Sequence, residues 1–239
     1  MRVLAIEMAT RHGSVALLQD DDVVEVPVEL RGDGVVAAIA ELLAEERVDP
    51  EYLDLIAASV GPGSFTGVRI GTAAAQGLAE ATEVPLVGVG TLDALAESVA
   101  GTDWAVPGTP ILASVDARRA EVYAALYRVA GAGEPAEKLW GPEPVAFLAL
   151  AERFAALGPS GENPGVLVGD GSALLAPLFP PESGWAAPAQ LAKASAAAVG
   201  RVAAREAEAG RTVTPEALEP VYLRKSDAEI HRQDKLRQD

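Results

Sequence analysis

The sequence has no cysteine and only two histidines in 239 residues. The first absence excludes disulfides, thiolate zinc sites and a cysteine nucleophile. The second leaves His12 in an early turn and His231 near the far end, a poor basis for the paired-histidine zinc site of a metalloprotease. Positive charge is also scarce. Nineteen Lys and Arg stand against 35 Asp and Glu, a formal net charge of −16. Such a surface repels phosphate backbones, because nucleic-acid binding rests largely on cations displacing condensed counterions. A role near RNA would then need another protein to hold the RNA. Long apolar runs are missing too: no stretch reaches the roughly 18 uninterrupted apolar residues of a membrane span. The apolar run at 3–6 is cut off by Glu7, unlike a signal peptide. The expectation is a cytoplasmic protein with no membrane association.

What is present is a chain with 49% hydrophobic residues, enough for one large core or two smaller lobes. Short apolar runs at 3–6, 14–18 and 23–26, separated by Arg11-His12-Gly13 and Asp20-Asp21-Asp22, read as a three-strand meander. From Gly34 to Arg47 the period changes. Val35, Val36, Ile39, Leu42 and Leu43 fall on one stripe of a helix, with Glu41, Glu45 and Glu46 off it. A strand at 55–60, a helix at 67–81, a strand at 85–89 and a helix at 92–100 complete the order β-β-β-α-β-α-β-α. After a Gly/Pro-rich break at 101–110 the pattern restarts. Strands at 111–115 and 121–127 flank the turn at 116–119, and a further strand lies at 166–168. Dense Pro and Gly between 131 and 188 predict loops around one helix at 145–157. Residues 189–209 form the longest helical candidate, stopped by Gly210, and the polar tail from Arg224 is expected to fray. Two meander-plus-helix units in series suggest a duplicated, two-lobed α/β plan.

The most informative run is Gly61-Pro62-Gly63-Ser64-Phe65-Thr66-Gly67-Val68-Arg69-Ile70-Gly71, between a strand and a helix. Two readings stand side by side. Backbone N–H groups and the helix dipole attract an anion there, with Gly61, Gly63, Ser64, Thr66 and Arg69 as candidate contacts. Alternatively the glycines serve a tight turn and Ser64 or Thr66 caps the helix. A phosphate loop is excluded because Val68, not lysine, follows Gly67. A nucleophile elbow is excluded because Pro62 and Thr66 flank Ser64 where glycines belong. Farther along this helix Gly67, Gly71 and Ala75 share a face, with Ala74 and Leu78 adjoining. Gly71 and Gly77 cost about 0.8–1 kcal/mol each against alanine in a helix interior, so a packing reason is expected. The groove they leave admits a facing element, from a partner or from the same chain. Arg118 and Arg119, beside Asp116 in a turn, are a solvated tip or a ligand contact. Glu7-Met8-Ala9-Thr10 is read as a turn without a catalytic role.

Residues 55–90 closely resemble the TsaB (YeaZ) family: the glycine run, then Ala75-Gln76-Gly77-Leu78-Ala79, then Pro85-Leu86-Val87-Gly88-Val89. The likeness continues at 1–9, at Ser114-Val115-Asp116-Ala117-Arg118, at Glu121-Val122-Tyr123, at Gly169-Asp170-Gly171 and at Glu219-Pro220-Val221-Tyr222-Leu223-Arg224. This resemblance implies a two-lobed actin-like/Hsp70/sugar-kinase (ASKHA) fold with duplicated ribonuclease-H-like lobes. The first lobe would span 1–101 and a smaller second lobe 102–210, with 211–239 returning to the first lobe before a polar tail. It further implies a non-catalytic scaffold subunit for tRNA N6-threonylcarbamoyladenosine (t6A37) synthesis. Its partners would be the catalytic paralogue TsaD and the ATPase TsaE, with a homodimer in isolation and tRNA reached only through the complex. No cofactor of its own is implied, only ATP or ADP at the complex interface. The first two helices would form the partner face, at Gly67, Gly71, Ala74, Ala75 and Leu78. Glu7-Met8 stands where the family usually has Asp-Thr, and 30–35 lacks a Ser/His approach common to relatives. The competing readings are an active actin-like ATPase or small-molecule kinase, and a metalloprotease-like protein.

Overall fold

The computed structural model describes residues 1–28, 34–131, 133–155 and 164–224. The polar tail with His231, most of segment 30–35 and the end of the helix expected at 145–157 lie outside them. The first unit runs β1 (Arg2–Glu7), β2 (Gly13–Gln19), β3 (Asp22–Val28), α1 (Gly34–Glu45), β4 (Leu55–Gly61), α2 (Phe65–Thr82), β5 (Leu86–Gly90) and α3 (Thr91–Glu97). Its strands form one sheet in the order β3-β2-β1-β4-β5. The meander is antiparallel, and β4 and β5 join β1 in parallel. Central β1 and β4 are apolar on both faces, as strands covered on two sides must be. Edge strand β3 alternates outward and inward.

The second unit repeats this plan with β6 (Pro110–Arg118), β7 (Glu121–Arg128), β8 (Glu137–Ala146), α4 (Phe147–Ala155), β9 (Gly165–Val168), α5 (Ser172–Leu175), β10 (Trp185–Ala186) and α6 (Ala196–Glu208). Its sheet order, β10-β9-β6-β7-β8, is the first sheet's order read from the other edge. Strand β8 was expected as loop because of its prolines. It is an edge strand, and an edge is where Pro142 and Pro144 cost no central ladder bond. The helix expected at 189–209 is shorter: residues Ala189–Leu191 make one 3-10 turn, and α6 begins after Ser195, whose hydroxyl accepts from Ala198 N.

Each unit lends its last helix to the other. Leu92, Leu95 and Ala96 of α3, with Val99 just beyond it, pack with Ile111, Ala113, Val115, Val166 and Val168 of the second sheet. Ala196, Ala197, Ala198, Val199 and Ala203 of α6 pack on Val3, Ala5, Ala16 and Ala57 of the first. Residues of α6, within the segment 102–210 expected to form the second lobe, thus pack on the first sheet, because the buried face of α6 matches the alanine-lined face of that sheet. Small residues on both sides let helix and sheet lie close, and α3 and α6 also touch each other. An ion cluster marks their seam: buried Glu97 holds Arg205 through both oxygens and Arg201 Nε at 3.5 Å.

Gly200 marks the closest approach of α6. An added Cβ there would stand 2.5 Å from Leu18 Cδ1 and 3.3 Å from Ala5 Cβ. Gly200→Val is expected to lower the urea midpoint by the equivalent of about 1–3 kcal/mol through overpacking, with the m-value unchanged.

Candidate functional site

A cleft of about 670 Å³ opens between the lobes at the carboxyl ends of the strands. Five segments meet in it: the turn after β1, the glycine loop after β4, the β6–β7 hairpin, Asp170 in the loop after β9, and 221–224. The floor is laid by close backbone contact. Ser64 N donates to Ala9 O at 2.7 Å, and an added Cβ at Gly63 would overlap that same carbonyl. At Gly67 it would overlap the carbonyl of Met8, and at Gly71 it would stand 3.1 Å from Met8 Cβ. The Ser64 hydroxyl caps α2 by accepting from Gly67 N at 3.2 Å. The loop's glycines thus serve close packing and capping, and its Ser64 and Gly67 N–H groups are committed within the chain.

This geometry corrects the expected partner face. Gly67, Gly71 and Ala75 are buried against the end of β1. Their four-residue spacing reflects a sheet of the same chain, so they cannot meet a partner. Ala74 and Leu78 are half-buried at the margin of the same core. Gly77, by contrast, has nothing among the described residues within 4 Å of where its Cβ would lie, so no packing among them requires it.

The other candidates separate. Gly61, at φ 105°, leaves room for the Val221 carbonyl. Thr66 is exposed. Arg69 turns away from the cleft floor, donating to Tyr222 Oη at 2.8 Å with its guanidinium 3.9 Å from the Phe65 ring centroid. Arg118 lines the cleft, 66% exposed, 3.3 Å from Asp116. Sequence reasoning missed Arg11, which reaches across the lobes to the same Asp116 at 3.2 Å, and Asp170, which accepts from Asp116 N at 2.9 Å. More than 50 residues separate each of these from its partner, so no local pattern could have joined them.

The hairpin tip is unusual: Arg118, Arg119 and Ala120 have φ of 63°, 56° and 60°. Non-glycine residues pay on the order of 1 kcal/mol each for that conformation. Beneath the cleft, Glu7 is fully buried. Its Oε1 accepts from Ala9 N at 2.7 Å and Thr10 N at 3.1 Å, while Oε2 has no hydrogen-bond partner among the described residues. Burial pushes its carboxyl up to about 7, opposed by hydrogen bonds from Ser59, Ala9 and Thr10, and Asp170 adds repulsion. Burial also raises Asp170. Among the described residues no group of three or more His, Asp or Glu could hold a metal ion, and no helix is long and apolar enough to cross a membrane.

Two duplicated lobes closing on a cleft define the actin-like, ASKHA class of fold. Among solved structures, YeaZ from Pseudomonas aeruginosa superposes with a TM-score of 0.77 at 27% identity, covering 93% of this chain and 99% of that one. Component A of the Acidaminococcus fermentans (R)-2-hydroxyglutaryl-CoA dehydratase shares the fold alone, with a TM-score of 0.51 at 9% identity, covering 87% and 99%. The family model for TsaD, tRNA N6-adenosine threonylcarbamoyltransferase, matches residues 33–232. The tRNA threonylcarbamoyladenosine biosynthesis protein TsaB of Escherichia coli K12 is 33% identical over 95% of this chain and 96% of its own. The chain belongs to the TsaB (YeaZ) family.

Glu7 supplies a pH test. Its folded pKa of about 7 lies above the ordinary 4.5, so the folded state resists ionisation that the unfolded state accepts. The Glu7 contribution to stability is greatest below about pH 4.5 and falls until about pH 7, by roughly 3 kcal/mol at 1.36 kcal/mol per pKa unit. Glu7→Gln mimics the neutral form. It is expected to melt higher than the parent at pH 8, with the gap closing towards pH 4.5.

Proposed function

We propose that this chain acts in tRNA N6-threonylcarbamoyladenosine biosynthesis as an accessory subunit without chemistry of its own. It docks on the catalytic paralogue TsaD, and the ATPase TsaE joins the pair. The observation that carries the reading is the end-to-end likeness to the E. coli TsaB protein. Support comes from the cleft, whose loop N–H groups at Ser64 and Gly67 already have partners in the chain. Any ATP or ADP then belongs to the interface between subunits. The net charge of −16 leaves tRNA to be held by the partner.

The docking face is assigned to the outer sides of α1 and α2. On α1 this side carries Val36, which is 58% exposed, with exposed Ala37, Ala40 and Ala44. On α2 it carries Thr66, Ile70, Ala73, Gly77 and Ala81, at helical spacing opposite the buried stripe. These residues are uncharged and mostly small, flanked on the same outer sides by exposed Glu41, Glu45 and Glu80, and both helices are already formed, which lowers the ordering cost of association. Gly77 gives a facing helix room that the fold itself does not use.

Two measurements test this. In reconstitution, the chain alone should transfer no threonylcarbamoyl, and TsaD with TsaE should depend on it; full activity of those two without it would refute the assignment. For the face, Gly77→Glu should leave the thermal melt unchanged while abolishing co-sedimentation with TsaD, by placing an unpaired charge in the interface. Gly71→Glu should instead collapse the melt. Unchanged association of the Gly77 variant would move the docking face elsewhere.

A further inference from the structure

We propose that the C-terminal segment Leu218 to Arg224 is a latch that holds the two lobes at their present spacing across the mouth of the cleft, with Arg224 as its catch. The inference rests on this chain's own geometry and stands apart from the proposed function. After α6 the chain returns along the first lobe, where Val213 N donates to Leu86 O at 2.8 Å. Gln76 Nε2 donates to Pro215 O at 2.8 Å and Leu218 O at 3.1 Å, and the Leu218 side chain is buried in the first core. Val221 N donates to Val60 O at 2.7 Å, with its own carbonyl against Gly61. The Tyr222 ring lies 5.1 Å from that of Phe65 and its hydroxyl accepts from Arg69. Up to this point every anchor is on the first lobe.

Two residues later the segment crosses. Arg224 Nη1 pairs with Glu121 at 2.9 Å, and Nη2 donates to Ala117 O at 3.0 Å. These two contacts grip the hairpin on either side of Arg118, Arg119 and Ala120, the three residues held at positive φ. The half-buried guanidinium therefore restrains a turn whose own conformation is unfavourable, and that turn carries Asp116, the residue that Arg11 reaches from the first lobe. The helix pair α3–α6 joins the lobes elsewhere, and at the cleft the latch and the Arg11–Asp116 pair bridge them. Freed from Arg224, the hairpin loses the restraint that reaches it from the C-terminal segment, keeping within its own lobe the bond from Phe147 N to Ala120 O, and the cleft opens about the α3–α6 seam.

A chain without cysteine permits a clean test. Spin labels on Asp22→Cys and Glu152→Cys, both exposed and one on each lobe, report the spacing by pulsed dipolar spectroscopy in samples diluted with unlabelled chain. A pair at Asp22→Cys and Glu51→Cys, within the first lobe, is the control. Arg224→Ala is expected to lengthen and broaden the interlobe distribution beyond any change in the control, and Glu121→Gln to do so to a smaller extent. Arg224→Lys, which keeps one contact at a time, should fall between parent and alanine. Distributions that superimpose on the parent's would overturn the latch. Loss of the cooperative melt in both Arg224 variants would overturn it too, because the segment would then be part of the core rather than a catch upon it.

Discussion

The end of β1 and the start of α2 lie closer together than side chains allow, and most of the cleft follows from that contact. Glycine at 63 and 67 lets the loop rest on the backbone of Ala9 and Met8, and glycine at 71 leaves room for the Met8 side chain. That contact sinks Glu7 beneath the floor, where burial sets its proton affinity. It also fixes the rotation of α2, so that Thr66, Ala73 and Gly77 face outward. A bulkier residue at any of the three glycines would tilt the helix and move floor and outer face together.

Several of the charged groups that line the cleft pair with one another. Arg11 and Arg118 share Asp116, Asp170 accepts from the backbone of Asp116, and Arg224 holds the hairpin from outside. The energy of left-handed backbone at Arg118 to Ala120 persists only where surrounding contacts over-determine it.

Much of the fold was legible in the sequence, because short apolar runs and a change from two-residue to helical period mark buried strands and amphipathic helices directly. The repeat of the first unit in the second was legible for the same reason. Strand β8 was not, since Pro142 and Pro144 argue against a strand unless its edge position is known. The stripe at Gly67, Gly71 and Ala75 was found but its direction was not: small residues at four-residue spacing look the same whether they face a sheet or a partner. Gly71 and Gly77 read alike in sequence, yet one is buried and the other exposed. The ownership of α6 was equally hidden, because periodicity tells which face is apolar and not which sheet will receive it. The charged cluster joins residues as far apart as Arg11 and Asp116, which only the closing of the two lobes brings together.

The exchange of α3 and α6 has a consequence for symmetry. A chain of one unit alone would leave a sheet face bare, and could cover it only by pairing with a second copy about a twofold axis, each lending a helix to the other. The present chain carries that reciprocal swap within a single molecule. Joining the copies turns a bimolecular equilibrium into an intramolecular one, so the swap no longer depends on protein concentration. It also releases the two copies from being identical. One sheet can then keep an alanine-lined face for close helix packing while the other takes Tyr127 and Leu191 into its core.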